Sequence, residues 1–191
     1  RAFEKQLTDD GMVIIKLFLK IDRKEQKKRF EKLLASKDTA WRVSKGDLKR
    51  NHDFKEYKAI NEEMLRKTDA DYAPWTVINA TKKKEAKVAV YQAVIQAMEE
   101  AVARKELEEK GSLEKKTEMK RETAESILAE TDLSKSMPKE VYEERLKALQ
   151  KKMEHLHGEL YRRRIPVVLG FEGWDAGGKG GAIKRLTSHM D

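Results

Sequence analysis

Cysteine is absent from this chain, which excludes a disulfide framework and any zinc or iron–sulfur site built on thiolates. No run of about eighteen apolar residues occurs, so the sequence offers no membrane-spanning segment. It also lacks a basic stretch followed by a short apolar one, which is the pattern of a secretory leader. We therefore expect a cytoplasmic protein with no membrane partner.

Charged residues, by contrast, are abundant and lean positive. The 191 residues include 42 Lys and Arg against 34 Asp and Glu, a net charge of +8, and 39% of them are apolar, enough for a core. A basic excess of this size occurs in proteins without a special partner, and it also suits a nucleic acid, a nucleotide or another phosphate polymer. Because the sequence begins at Arg1 and stops shortly after a glycine-rich segment, we expect a fragment.

Three apolar runs predict buried strands of a parallel sheet. They lie at residues Met12–Leu19, Trp75–Ile78 and Ile165–Phe171. Helical patterns separate them, and strands that alternate with helices are typical of an α/β fold.

Capping residues mark the starts of two predicted helices. Asp22 is followed three residues later by Glu25, the spacing of a capping box, and Ser44 with Asp47 opens the next helix. Apolar residues spaced by three and four predict the buried faces of these helices and of a third from about residue 84 to 105. The predicted inward residues are Phe30, Leu33 and Leu34; Phe54, Tyr57, Ile60 and Met64; and Val88, Tyr91, Val94, Ile95, Met98 and Val102.

The segment 106–138 differs in composition from the rest of the chain. Between Arg104 and Glu122, 13 of 19 residues are charged, and Gly111 lies among them. This pattern favours a linker or a solvated helix between two domains.

A helix at residues 139–163 follows, and its apolar residues repeat at alternating steps of four and three. They are Tyr142, Leu146, Leu149, Met153, Leu156 and Leu160. Such a seam packs either against the helix's own domain or against a second subunit, so a homo-oligomer formed through this helix stays an open alternative.

The residues from Gly173 to Gly181 form a glycine loop between the third predicted strand and a helix. Glycines allow successive backbone N–H groups to face one anion, and the helix adds its positive N-terminal end. Lys179 adds a charge that can follow a phosphate oxygen as negative charge builds during transfer. The alternative is a tight structural turn with a solvated lysine.

The loop departs from the P-loop pattern GxxxxGK[ST] at one position. Gly180 stands where a Ser or Thr hydroxyl ligates Mg²⁺, and a carboxylate, Asp175, lies inside the loop. We infer that Asp175 takes over part of the handling of the metal or of the acceptor phosphate, because Mg²⁺ prefers hard oxygen ligands.

These residues also resemble a known family. Phe171–Leu186 closely resembles the loop of the polyphosphate kinase 2 family, which has GxDxxGKG, and the helix Tyr142–Tyr161 resembles the one that precedes it. The N-terminal half resembles the closing half of such a domain in a series of segments: Phe3–Leu7, Lys16–Ile21, Glu25–Phe30, Trp41–Ser44 with Asp47, and Ala73–Trp75.

The order of these parts resembles the tandem polyphosphate:AMP phosphotransferases of that family. Residues 1–105 would be the C-terminal half of a first domain, 106–138 a charged linker, and 139–191 the start of a second domain with its P-loop. The fold expected from the resemblance is α/β, a P-loop kinase-like three-layer parallel sheet, incomplete here and with a helical linker. Because both copies are cut, the strands at Val13, Trp75 and Val167 could pair in one permuted small sheet or remain in two half-domains joined by the linker. Of these two arrangements we favour two separate parts.

The resemblance implies Mg²⁺-dependent phosphoryl transfer between inorganic polyphosphate and an adenine nucleotide, with AMP converted to ADP. It implies that Asp175 and Lys179 are catalytic, with Asp175 also at the metal. The phosphate-binding residues it implies are Gly173, Gly177, Gly178, Gly180 and Gly181, and we add Lys184 and Arg185 on the helix that follows.

The chain lacks the family's Walker B segment and the lid that follows it, so we expect the isolated chain to be inactive. A polyphosphate-dependent ADP or GDP kinase of the same family is the first alternative. Outside the family, the lysine clusters and Arg162–Arg164 leave a basic nucleic-acid-binding module open, and the seam leaves a helical assembly module open. We expect no nucleic-acid partner, because no recognition motif accompanies the charge.

Overall fold

The computed structural model describes residues 1–109, 131–132 and 136–188. Most of the predicted linker, 106–138, lies outside these residues, and its helical character stays a prediction. The elements in chain order are α1 (Ala2–Asp9), β1 (Val13–Lys20), α2 (Arg23–Leu34), α3 (Lys37–Ala40), α4 (Lys45–His52), α5 (Phe54–Thr68), β2 (Trp75–Asn79), α6 (Lys83–Glu109), α7 (Lys139–Arg162), β3 (Val167–Gly173) and α8 (Lys179–Thr187).

The three predicted strands form one parallel sheet in the order β2-β1-β3. Five consecutive residues of the central strand, Ile15–Leu19, are buried, so both faces of β1 are covered. Helix α6 packs against β1 and β2, and α1 contacts β1. The α/β class with a parallel sheet is therefore confirmed.

The expectation of two separate parts is wrong. β3 lies alongside β1 with Val13 opposite Val167 and Leu19 opposite Gly173, so a strand from each half shares one sheet. Without β3, one edge of β1 would leave its backbone N–H and C=O groups without strand partners, and pairing satisfies them. The domain boundaries at 105 and 138 stay a prediction.

The apolar seam of α7 packs against α6 of the same chain. Tyr142, Met153, Leu156 and Leu160 are buried there, and Lys152 forms an ion pair with Glu99 of α6 at 2.6 Å. Packing within the chain is thus the alternative that the structure supports. The predicted homo-oligomer through this helix would have to use its outward face, and it stays a prediction.

The predicted N-caps at Asp22 and Ser44 are confirmed, but the capping box at Asp22 is not complete, because the Glu25 carboxylate pairs with Arg29. Asp22 Oδ1 accepts a hydrogen bond from the Glu25 amide at 2.7 Å. Ser44 and Asp47 form a reciprocal capping box at the start of α4. These caps lie at the starts of α2 and α4, two of the helices that contact the glycine loop.

Some of the predicted buried faces are wrong. The second predicted helix is interrupted at Asp53, and in α5 the exposed fractions of Tyr57 and Ile60 are 36% and 59%, whereas Leu65 is buried. Leu34, in the last turn of α2, is 43% exposed. Val168 is 44% exposed, so the prediction of a third strand buried on both faces is wrong at this residue.

Candidate functional site

The glycine loop lies at the carboxyl end of the sheet. β3 ends at Gly173, α8 begins at Lys179, and the backbone between them takes left-handed conformations at Ala176 (φ 58°) and Gly178 (φ 105°). A left-handed conformation costs a residue with a side chain about 1–2 kcal/mol, so the surrounding contacts must hold Ala176 in place. The strand–loop–helix arrangement predicted from the sequence is present.

Two of the loop glycines are required by close backbone packing. A Cβ atom at Gly173 would lie 2.3 Å from the carbonyl oxygen of Leu19, and one at Gly177 would lie 2.7 Å from that of Trp174. A Cβ atom at Gly180 would meet nothing within 4 Å. Gly173 and Gly177 therefore shape the loop, whereas Gly180 leaves its backbone open to whatever approaches α8.

The N-terminus of α8 presents a group of amides outside the helical ladder. Its first helical hydrogen bond runs from the amide of Ala182 to the carbonyl of Gly178 at 3.0 Å. The amides of Lys179, Gly180 and Gly181 precede that bond, and such amides carry the partial positive charge that attracts anions. This is the geometry expected of a phosphate cradle.

The Lys179 ammonium folds back over the loop. Its Nζ donates to the carbonyl oxygen of Gly173 at 2.5 Å and to that of Trp174 at 3.2 Å. The side chain is partly exposed and forms no ion pair among the described residues. Neutral carbonyls hold an ammonium less strongly than a phosphate does. The Lys179 ammonium can therefore exchange these carbonyls for an anion without breaking a salt bridge.

Asp175 is paired with a residue from the N-terminal half. Its Oδ2 accepts a hydrogen bond from Nε of Arg50 on α4 at 2.6 Å, and both side chains are 40% exposed. The same guanidinium donates through a terminal nitrogen to Asp47 Oδ1. Arg50 thus joins two carboxylates, one on α4 and one in the loop.

The pKa values of this cluster follow from those contacts. The hydrogen bonds to Asp175 and then to Asp47 raise the pKa of Arg50. Burial acts to raise the pKa of Asp47, but the hydrogen bonds from Ser44 and Arg50 outweigh it and leave that pKa below its ordinary value. Arg50 and Asp47 therefore both remain charged at neutral pH.

Buried polar residues of α2 hold the backbone of the loop. Gln26 Nε2 donates to the carbonyl of Asp175 at 3.1 Å, and Arg29 donates to that of Ala176 at 2.8 Å. Asn51 in turn donates to Gln26 Oε1 at 2.9 Å. All three of these side-chain donors belong to buried residues.

The sequence prediction assigned no role to these residues. The local signal was the presence of Gln26 and Arg29 three residues apart on α2, beside the buried Phe30. Polar residues beside a buried apolar residue do not by themselves predict a buried hydrogen-bond network, because the sequence does not show which groups accept their hydrogen bonds. Here the acceptors are 149 and 147 residues away in the chain.

The second loop residue, Trp174, anchors the turn in the core. Its ring stacks on Phe54 with centroids 5.4 Å apart and meets the edge of Phe18 at 5.1 Å. Together with Gln26 and Arg29, these rings contact three consecutive loop residues. The N-terminal half therefore sets the conformation of the loop.

Arg29 also ties the loop to the end of β2. It donates to the carbonyls of Ala80 and Thr81 at 2.6 and 2.9 Å. Burial, and then the nearby charges of Arg29 and Lys32, lower the pKa of Lys83 at the start of α6. Arg29 thus links the residues that follow β2 to the glycine loop, and Lys83 lies near it.

Lys184 and Arg185 lie on α8, and Arg185 meets the glycine loop at its last residue, Gly181. Both side chains are exposed, and the Arg185 guanidinium donates to the carbonyl of Gly181 at 3.0 Å. The main-chain oxygen of Arg185 accepts from the Tyr91 hydroxyl at 2.5 Å, which fixes α8 to α6. A role for these two residues in phosphate binding stays a prediction.

The basic triplet Arg162–Arg164 does not form an open cationic patch. Arg162 pairs with Glu159, and Arg163 pairs with Glu106 at 2.9 Å. These contacts neutralise much of the charge on which a nucleic-acid-binding surface would depend.

Among residues 1–109, 131–132 and 136–188, no three His, Cys, Asp or Glu side chains converge as a protein-only metal site requires. Asp175 is the carboxylate within the loop itself, and Asp47 lies across Arg50 from it. One or two carboxylates suit Mg²⁺, which is usually completed by water and substrate phosphates. The residues present therefore fit a magnesium ion that arrives with phosphate.

A parallel sheet whose strand leads through a glycine loop into a helix bearing a first-turn lysine defines an α/β protein of the phosphate-binding P-loop class. The sequence model of the family described as polyphosphate kinase 2 matches residues 1–106 and 136–191. The chain belongs to this family.

Two related proteins align with almost the whole length of this chain. A polyphosphate:AMP phosphotransferase of Pseudomonas aeruginosa is 29% identical over 197 residues, which cover 99% of this chain and 38% of that protein. One from Pseudomonas syringae pv. tomato is 31% identical, covering 98% of this chain and 38% of the relative. An AMP/ADP-polyphosphate phosphotransferase of Meiothermus ruber is 38% identical over 82 residues, or 43% of this chain and 31% of the relative.

The chain thus spans well under half the length of these relatives. No solved structure matches it. Within the part of the chain that the structure describes, every helix is too short or too polar to cross a membrane.

Proposed function

We propose that this chain carries the phosphate-binding loop of an enzyme that transfers a phosphoryl group from inorganic polyphosphate to AMP. The transfer shortens polyphosphate by one unit and yields ADP. The enzyme would be a longer protein, because the chain spans 38% of the Pseudomonas relatives and lacks a Walker B segment and a lid. By itself, the 191-residue chain would bind phosphate without turnover.

One observation carries the proposal. The loop combines the amides that precede the helical ladder of α8 with the Lys179 ammonium, whose hydrogen-bond partners among the described residues are neutral carbonyls. An arriving phosphate offers that ammonium a charged acceptor, and hydrogen bonds between charged groups are roughly twice as strong as neutral ones. The loop is therefore suited to exchange its internal contacts for a phosphate chain.

Each loop residue has a proposed role in that exchange. Lys179 stabilises the charge that develops on the transferred group, and the amides of Gly178, Gly180 and Gly181 bind its oxygens. Gly173 and Gly177 act through the backbone shape described above. Lys184 and Arg185 line the path of the polyphosphate beyond the loop.

The proposed metal is Mg²⁺, with Asp175 as its ligand from the loop. When bound, Mg²⁺ would neutralise part of the phosphate charge. The task of Asp175 is to present a carboxylate oxygen at the loop, and that of Arg50 and Gln26 is to hold this residue in place. Catalysis then rests mainly on positioning and electrostatics.

ADP or GDP as the acceptor is the alternative within the family. Relatives are named as ADP- and GDP-polyphosphate phosphotransferases, from Rhizobium meliloti and Mycolicibacterium smegmatis. We favour AMP because the two relatives that match almost the whole chain carry AMP in their names. We place the enzyme in the cytoplasm, where nucleotides are held.

The proposal is tested first by binding. Isothermal titration of the 191-residue chain with inorganic tripolyphosphate and Mg²⁺ should give a dissociation constant that rises about tenfold or more in Lys179→Ala. Lys151→Ala, which removes the same charge from an exposed position on α7, should change it by less than about twofold. Equal affinity in the two variants would contradict a phosphate role for Lys179.

The second test is activity in a longer protein that contains this chain. ADP formed from AMP and polyphosphate should fall by about two orders of magnitude or more in Lys179→Ala and in Asp175→Asn. Near-normal turnover in either variant would overturn the assignment of that residue.

A further inference from the structure

Arg50 contacts only one of the two carboxylate oxygens of Asp175. Its Nε occupies Oδ2 at 2.6 Å, whereas Oδ1 has no hydrogen-bond partner among the described residues. Gln26 holds the main-chain oxygen of the same residue at 3.1 Å. The carboxylate is thus fixed from one side, with one oxygen left for a ligand.

The charges around Asp175 nearly cancel. Arg50 carries one positive charge and contacts the two carboxylates of Asp47 and Asp175, and Lys179 lies within the same loop. A free divalent cation would meet a site of almost no net charge, with a guanidinium bonded to its carboxylate ligand. A guanidinium 2.6 Å from the Asp175 carboxylate repels a hydrated cation that approaches the same carboxylate.

We propose that Arg50 is a positioning residue that makes Asp175 a ligand for magnesium bound to phosphate and a poor ligand for the free ion. The inference rests on the proposed function, because it specifies in which form the metal enters that site. Phosphate oxygens supply the negative charge that the site lacks, and the loop amides bind the phosphate at the same time. Metal and phosphate therefore enter the loop as one complex.

The position of Arg50 makes this testable without loss of the fold. Its side chain and that of Asp175 are both 40% exposed, and ion pairs this open contribute little to stability. Lys49, the preceding residue on α4, is exposed and carries the same charge. It is a matched control for the change in net charge alone.

The experiment measures free Mn²⁺, a stand-in for Mg²⁺, binding to the 191-residue chain by electron paramagnetic resonance with no phosphate present. Arg50→Gln should raise the affinity for free Mn²⁺ by roughly three- to tenfold over the unchanged chain. Arg50→Lys and Lys49→Gln should leave it within about twofold. Adding Asp175→Asn to Arg50→Gln should abolish the gain, which locates it at Asp175.

An affinity in Arg50→Gln no higher than in Lys49→Gln overturns the proposal, and so does a gain that survives Asp175→Asn. A loss of affinity in Arg50→Gln also overturns it, because it would mean that Arg50 helps the free ion to bind. Urea unfolding of each variant verifies that the fold is intact, and Arg50→Lys tests the charge with the least change in shape. If the chain fails to bind tripolyphosphate, the proposed function falls, but the Mn²⁺ comparison still reports on Arg50.

Discussion

Arg29 donates a hydrogen bond to the main-chain oxygen of Ala176 at 2.8 Å, across 147 residues of chain. The acceptor belongs to a residue in a left-handed conformation, which needs outside support. A buried arginine near the start of the sequence thus stabilises a strained turn near its end. The loop and the residues that hold it come from the two halves separated by the charged segment.

Replacing Arg29 should destabilise the protein strongly. Arg29→Met leaves the carbonyls of Ala80, Thr81 and Ala176 without this donor and leaves Glu25 without its partner. We expect the free energy of unfolding, measured in urea, to fall by about 2–4 kcal/mol. Lys27→Met, an exposed change on the same helix, should cost less than about 0.5 kcal/mol, and an equal loss in both would contradict the role given to Arg29.

Two glycine substitutions in the loop should have opposite effects on stability. Gly177→Ala places a Cβ atom 2.7 Å from the carbonyl of Trp174, and the backbone must move, so we expect a loss of about 2 kcal/mol or more. Gly180→Ala meets open space in the first turn of α8 and should be neutral or stabilising by up to about 1 kcal/mol. Thermal unfolding of both variants measures this difference, which would be absent if the loop were free to rearrange.

Gly180→Ala has a second readout. A methyl group at the mouth of the amide cradle should weaken tripolyphosphate binding even though the fold is as stable as before. Unchanged affinity in a stable Gly180→Ala variant would mean that the phosphate does not approach this amide.

Asp47 should make stability depend on acid pH. The folded-state pKa of Asp47 is depressed, so the unfolded chain takes up the proton first as pH falls. Its contribution is fully present above the ordinary pKa of about 4 and is lost as pH falls through the lower, folded value. Asp47→Asn should therefore lose less stability between pH 7 and pH 3 than the unchanged chain. Parallel curves of unfolding free energy against pH would contradict this sign.

The packing of α7 on α6 can be tested because the chain has no cysteine of its own. Glu99→Cys with Lys152→Cys replaces a 2.6 Å ion pair between the two helices. A short thiol-reactive cross-linker should join them within one chain, so the product should migrate as a monomer on a denaturing gel. Mainly dimeric product at low protein concentration would favour the seam as a contact between subunits.

The strands, the two capped helices and the glycine loop were predictable from the sequence because each depends on neighbouring residues. Apolar runs predicted β1, β2 and β3, and the spacing of glycines and Lys179 predicted the loop. The interruption at Asp53 was not predictable, because the apolar spacing from Phe54 to Met64 shows the same period in an interrupted helix. In the separate helix α5 that follows, Leu65 is buried, whereas Tyr57 and Ile60 are exposed.

Local sequence patterns could not predict the pairing of β3 with β1. They also could not predict the contacts that Arg29, Gln26 and Arg50 make with the loop. Each joins residues more than a hundred positions apart. Periodicity shows that a side chain is polar or apolar, but it does not show which backbone carbonyl that side chain will find. Asp175 was predicted as a metal ligand from its place in the loop, whereas its partner Arg50 had no sequence signal of its own.

The central position of β1 has a consequence for how the protein is made. On the ribosome, β1 emerges well before β3, its neighbour on one side, and chains grow at roughly 5–20 residues per second. With 147 residues between Arg29 and Ala176, that flank of β1 waits about seven to thirty seconds for its partner. During this interval a nascent chain exposes an apolar strand that can join a neighbouring chain, so newly synthesised protein should depend on chaperones more than its finished fold suggests.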